Sequence, residues 1–222
     1  GEGKLWMADG ALYEGQFQNG QKHGVAKYTY ANGAFFEGEY VQDKKQGNGR
    51  LTCVNSTAVV DASSYEGQWN NDFQDGHGIE RWGDGSVFTG TFAEGRKHGH
   101  GKFMWSEGCM YEGQFENNDM HGDGRYVWAD GRHYHGSWER NHMHGVGMMR
   151  WPDSRIYEGQ FTAGKKHGKG TLTWPDGRSY DGQWVNGKQD GFGTVTTSKG
   201  MSRSSCWRDG KFSRWVADVA DV

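Results

Sequence analysis

A repeat of 23 residues constrains this chain more than any single motif in it. With YEGQFTAGKKHGKGTLTWPDGRS, residues 157 to 179, as the unit and its slots numbered 1 to 23, complete units begin at Tyr13, Phe36, Tyr65, Phe88, Tyr111, Tyr134, Tyr157 and Tyr180. Only the step from Phe36 to Tyr65 differs, at 29 residues. A chain built this way packs each unit on its neighbours and does not wrap a single centre.

The fixed slots recur at even offsets. Slots 1 and 5 are aromatic in all eight units and slot 3 between them is always Gly, as in Tyr157, Gly159 and Phe161. Slot 12 is always Gly, slot 14 is Gly except at Ala26, and slots 16 and 18 carry pairs such as Phe103 with Trp105 or Leu172 with Trp174. A period of two means strand, with slots 1, 3 and 5 on one face of a first strand and slots 12, 14, 16 and 18 on one face of a second. Glycine between two rings weakens a strand but lets the aromatics lie over the backbone. Slots 6 to 11 are polar and read as the connection between the two strands. Slots 20 and 21 are Asp-Gly or Asn-Gly at Asp9-Gly10, Asn32-Gly33, Asp84-Gly85, Asp130-Gly131 and Asp176-Gly177, dipeptides suited to positive φ in a tight turn.

The expected fold is all-β: an elongated, single-layer antiparallel meander of about nine 23-residue hairpins, twisted and groove-like. Two strands per unit at roughly 4.8 Å spacing would extend it on the order of 75 to 80 Å before twist. Residues 1–12 align with slots 12 to 23, a half repeat that implies a segment of a longer array. A degenerate last repeat starts at Arg203, so the array spans 1–212. Residues 213–222 are expected to form a short helical cap, with Ser213 as N-cap and Phe212, Trp215 or Val216, and Val219 at helical offsets. The six-residue expansion within NSTAVVDASS, after Cys53 at slot 18, is expected to project as a loop.

The combination YEGxW/F, then HGxG, then an aromatic strand resembles the MORN repeat (membrane occupation and recognition nexus), over about residues 1 to 212. Within that family an array with nothing else attached is most similar to the repeat-only cytoskeletal scaffolds of protozoan parasites, apicomplexans and kinetoplastids. The resemblance implies a non-catalytic scaffold that self-associates, as a homodimer, and organises cytoskeletal or membrane-peripheral proteins in the cytoplasm. The family name also implies a second reading, a phosphoinositide-binding tether at the inner face of a membrane, and a third is a regulatory repeat arm of a larger protein.

Composition narrows the partners. The net charge of −3 argues against a general pull toward nucleic acid or anionic lipid. Three cysteines, at 53, 109 and 206, make no disulfide framework and suit a reducing compartment. Acidic, basic and His residues sit in repeated rows and do not converge on one point, so the chain is not expected to be an enzyme.

Three constellations stand out. Lys44-Lys45, Arg96-Lys97 and Lys165-Lys166 occupy slots 9 and 10 and are the lipid-binding candidates, although acids at slot 2 (Glu14, Glu37, Glu66, Glu112, Glu158, Asp181) make the surface mixed. His133 and His135 flank Tyr134 opposite the ring face; with Cys109 they form a candidate structural Zn site, which a two-fold axis would complete from a second copy. The slot-11 histidines, His23, His98, His121, His144 and His167, read as turn residues of the repeat. The rings themselves, including Tyr111, Phe115, Tyr134, Trp138, Tyr157, Phe161, Tyr180 and Trp184, are expected to satisfy one another as a stack.

Overall fold

The computed structural model describes residues 1–54 and 63–216. Every regular element among them is a β-strand, and each strand pairs antiparallel with its sequence neighbour within two compact units, Gly1–Asn118 and Asp119–Val222. The first unit holds β1 (Glu2–Trp6), β2 (Leu12–Gln18), β3 (Gln21–Thr29), β4 (Phe35–Val41), β5 (Lys44–Cys53), β6 (Ser63–Asn70), β7 (Phe73–Arg81), β8 (Val87–Ala93), β9 (Arg96–Met104) and β10 (Met110–Glu116). The second holds β11 (Asp119–Val127), β12 (His133–Glu139), β13 (His142–Arg150), β14 (Ile156–Thr162), β15 (Lys165–Thr173), β16 (Ser179–Val185), β17 (Lys188–Thr196), β18 (Ser202–Arg208) and β19 (Lys211–Trp215).

Register follows from the rings. Within each unit slot 1 stands opposite slot 16, as Tyr157 does with Met149 and Leu172, and slot 3 stands opposite slot 14, as Gly159 does with Gly147 and Gly170. The slot-1 rings are at most 2% exposed. Within each unit they meet the slot-5 ring of their own repeat and that of the next, edge to face: Tyr157 lies 5.1 Å from Phe161 and 5.2 Å from Trp184. Edge-to-face contact suits the ring quadrupoles and adds about 0.5–1.5 kcal/mol per pair beyond burial. The glycine columns make this possible. A Cβ on Gly159 would stand 2.6 Å from the Lys169 carbonyl oxygen and 2.8 Å from the Tyr157 hydroxyl. That hydroxyl donates to the Gln160 carbonyl at 3.0 Å, so the ring crosses the backbone and satisfies its own polar end.

The connection within each hairpin is shorter than slots 6 to 11. It consists of slots 7 and 8 alone, both at positive φ, as in Asn19 (50°) with Gly20 (78°) and Ala163 (47°) with Gly164 (76°). Two such residues make the turn whose twist matches its strands. Slots 9 to 11 are therefore strand, and the slot-11 histidines lie in β3, β9, β11, β13 and β15, not in turns. Polar residues hid this alternation because slot 10, which shares the face of the rings, is so often Lys.

Slot 12 has a separate demand. Gly168 has φ of 61°, and the Lys169 N–H next to it donates 2.8 Å to the Gln160 side-chain oxygen from across the hairpin. One residue, Gln160, spans the gap that His167, Gly168 and Lys169 fill on the facing strand, so the register shifts there.

The C-terminal helical cap is corrected at its start. Ser213 to Trp215 belong to β19, where Trp215 stands opposite Ser205, and the Val216 N–H donates to the Ser204 carbonyl at 2.9 Å. Trp207 holds Phe212 at 5.8 Å and Phe212 holds Trp215 at 4.8 Å, so pairing to the last repeat wins over the helical spacing. Val219 lies outside the described residues, as does most of the expanded NSTAVVDASS segment.

Candidate interaction faces

Each strand presents one side to the rings and the other to solvent. The ring side is closed: of the sixteen slot-1 and slot-5 aromatics only Phe17 is not buried. Tyr111, Phe115, Tyr134, Trp138, Tyr157, Phe161, Tyr180 and Trp184 are all core, and Trp138 and Trp184 donate their indole N–H to Gly124 and Gly170 carbonyls at 3.1 and 2.8 Å. These rings offer no open slot for a ligand.

The paired cations divide between the two sides, because neighbouring residues on a strand point oppositely. Lys44, Arg96 and Lys165 are exposed, with Lys44 and Arg96 reaching Asn71 and Asn117 side chains at 3.3 and 3.2 Å. Lys45, Lys97 and Lys166 turn onto aromatic faces. Lys45 Nζ sits 5.2 Å from the Trp69 centroid and 5.3 Å from Phe36, and Lys97 Nζ sits 4.7 Å from Trp82 while pairing with Glu80 at 2.9 Å. Lys166 Nζ lies over Trp184, and burial, with the Arg155 charge second, pushes its ammonium down to about 8. The parity of slot 10 with slots 12 and 14 was the available signal for this arrangement.

The opposite side carries slots 2, 4, 13 and 15 over the bare glycine columns. In the first unit it forms a groove of about 670 Å³ floored by Gly49, Gly67, Gly78 and Gly90 and walled by Glu37, Asn48, Arg50, Glu66, His77, Ile79 and Thr89. In the second unit, hollows of about 390 and 480 Å³ repeat that arrangement around Gly136, Gly147 and Gly159 and around Gly182 and Gly193. Valines and a phenylalanine at slot 13 stand well exposed on this side, Val25 and Val146 at 66% and Phe192 at 60%. Basic slot-15 residues meet slot-2 acids across strands, with Lys4 at 2.5 Å from Glu14 and Lys27 at 3.1 Å from Glu37.

Cys109 is buried in the first unit, where its carbonyl accepts from the Trp105 N–H at 3.0 Å. His133 and His135 belong to the second, on β12, with His135 Nε2 3.6 Å from Asp123. Among the described residues no three His, Cys, Asp or Glu side chains gather closely enough to hold a metal ion. Beside the two histidines lies a hollow of about 600 Å³ lined also by Arg125, Met148 and Arg150, a grouping that slot-by-slot reading missed because its members come from different slots.

The family description MORN repeat matches residues 13–35, 36–58, 65–87, 88–110, 111–131, 134–154, 157–177 and 180–202. No curated protein sequence matches the chain. Among solved structures, the TCP10 domain of Danio rerio CPAP in complex with a peptide of Danio rerio STIL superposes with a TM-score of 0.54 at 12% identity, covering 97% of this chain and 94% of that one. The wild-type Danio rerio domain gives 0.48 at 13% identity, with 96% and 98% covered. For the peptide complex, at 12% identity, the likeness is one of fold.

Proposed function

We propose, since this chain belongs to the MORN repeat family, that it is a non-catalytic protein-interaction scaffold whose working surface is the side of the sheet turned away from the rings. One observation carries this reading: the ring side is spent on the fold, while the opposite side repeats an open, glycine-floored groove with exposed apolar and charged walls. Segments of partner proteins would lie along it, each repeat adding a modest contact, so that affinity accumulates with length. The STIL peptide bound to the CPAP domain of like fold supports protein segments as the ligand class. Self-association into a homodimer, and the holding together of cytoskeletal or membrane-peripheral proteins, are the finer content of the proposal.

Photo-crosslinking amino acids placed at Asn48, Ile79 and Phe192, on the groove side, and at Lys22, on the ring side, test the assignment in cells. Protein adducts from the groove positions in excess of those from Lys22 are expected. Equal yields from both sides would end it. Light scattering addresses self-association, for which twice the 25.0 kDa chain mass is expected.

The tether reading draws on the exposure of Lys44, Arg96 and Lys165. Co-sedimentation with phosphoinositide vesicles that is abolished by neutralising those three residues would favour it over the scaffold.

A further inference from the structure

The outward side lacks its slot-2 acid at Thr89 and at His135, and only the second puts a basic side chain in its place. Where slot 2 is acidic, a basic slot-15 residue stands opposite a carboxylate, and Lys4 and Lys27 close the ion pair with Glu14 and Glu37. In the repeat beginning at Tyr134 slot 2 is His135, and it stands directly opposite Arg125. Two residues back along β12, His133 stands opposite Arg150 of β13. Residues directly opposite on one face lie about 5 Å apart, a spacing at which like charges destabilise a sheet. Two guanidinium groups and two imidazoles thus surround a hollow of about 600 Å³.

The fold does little to satisfy these groups. No carboxylate lies within ion-pair distance of Arg125 or Arg150 among the described residues, whereas Arg132, Arg155 and Arg178 each hold an aspartate at 2.7 or 2.8 Å. Arg150 Nε donates instead to the Met148 sulfur at 3.2 Å, a weak acceptor that is readily exchanged for oxygen. The Nδ1 atom of His133 is buried without a hydrogen-bond partner, an arrangement that costs free energy.

We propose that Arg125, His133, His135 and Arg150 form a recognition site for a phosphate monoester carried by a segment of a partner protein. The inference rests on the scaffold reading of this face and names the chemistry of one partner. A phosphate with three acceptor oxygens matches two arginine forks and adjacent ring nitrogens, where a carboxylate would occupy only one fork. The surroundings favour a point anion over a membrane plane. Asp123 stands 3.6 Å from His135 Nε2, and Glu158 lines the adjoining hollow, so a continuous anionic sheet would meet carboxylates on arrival.

The test is fluorescence anisotropy of the full chain with a degenerate phosphoserine peptide pool and with the same pool unphosphorylated. The phosphorylated pool is expected to bind about tenfold more tightly, and Arg125→Gln and Arg150→Gln each to remove most of that preference, while Arg132→Gln leaves it intact. In the wild type, the ring-proton resonances of His133 and His135 should shift with the phosphorylated pool and stay in place with the other. Equal binding of both pools, unmoved histidine resonances, or an equal loss in Arg132→Gln would overturn the site. So would vesicles containing phosphatidylinositol bisphosphate binding through Arg125 and Arg150 with no preference for phosphopeptide. Should unphosphorylated segments still crosslink along the grooves in that event, the scaffold reading survives and only the phosphate site is lost.

Discussion

Lys166 places its Nζ 4.1 Å from the centroid of the Trp184 ring, with Tyr157 at 5.4 Å and Trp151 at 5.8 Å. Arg155 sits over the same Trp151 at 5.3 Å. Burial first, and the Arg155 charge second, lower the ammonium from its ordinary 10.5 to about 8, while the π faces act in the opposite direction. Between those values the unfolded chain binds a proton that the folded chain has released. Stability contributed at this site therefore rises as pH increases through the window from about 8 to 10.5. Met occupies this slot at Met120 and Met143, so Lys166→Met fits the site. The variant should melt higher than wild type at pH 7, with the difference shrinking toward pH 10. A lower melting point for the variant at pH 7, unchanged by pH, would mean that the rings hold the charge more strongly than burial opposes it.

The core tyrosines set an upper pH limit. Burial pushes Tyr65 and Tyr180 up to about 12, and Tyr134 and Tyr157 further. Above pH 10 the unfolded chain loses protons that the folded chain keeps, so stability falls as pH rises from about 10 to 12. Tyrosinate absorbance followed together with circular dichroism should show these phenols ionising as the β signal collapses. A full set of phenols titrating near pH 10 in an intact sheet would contradict the buried ring stack.

Gly182→Ala examines the glycine columns. The new Cβ would stand 2.5 Å from Gly193 Cα and 2.6 Å from the Tyr180 hydroxyl, both within the packed layer. Overpacking of this kind costs about 1–3 kcal/mol, read as a lower denaturation midpoint. Ala26, in the slot-14 column, stands opposite Gly15 and Gly38. An unchanged midpoint for Gly182→Ala would show that the rings do not rest on the backbone.

Hydroxyl and ring can be separated at Tyr157. Phe36 and Phe88 fill the same slot without a hydroxyl, so Tyr157→Phe, which removes only the bond to the Gln160 carbonyl, should cost about 1 kcal/mol. Tyr157→Ala also empties the space shared with Phe161 and Trp184 and should cost about 3–5 kcal/mol. Chemical denaturation of the two variants beside wild type checks the ratio. Equal losses would shift the weight from the ring to its hydrogen bond.

The strands, their ring face and the Asp-Gly turns were legible because aromatic and glycine residues recur at even offsets, and the structure keeps that parity from Tyr13 to Trp207. The hairpin turn was less legible, since Lys166 and Lys97 are polar by composition yet lie against rings, and their charge made strand look like loop. Trp215 misled for another reason: its spacing from Phe212 suits a helix, and only the contact of Phe212 with Trp207 reveals a strand. The arginine and histidine cluster was invisible to a reading by slot. Arg125 and His135 are ten residues apart, and only the antiparallel register sets them side by side.

Because Tyr157 shares its two edges between Phe161 and Trp184, the surface that one repeat buries is the surface the next one regenerates. Excising or duplicating 23 residues would rejoin like to like, so an array of this kind can lengthen or shorten in evolution without inventing a new joint. An insertion of one residue, or any odd number, within a strand would set charges where rings belong. The chain's one irregular step falls at the connection from β5 to β6, and both strands keep the pairing of the other repeats.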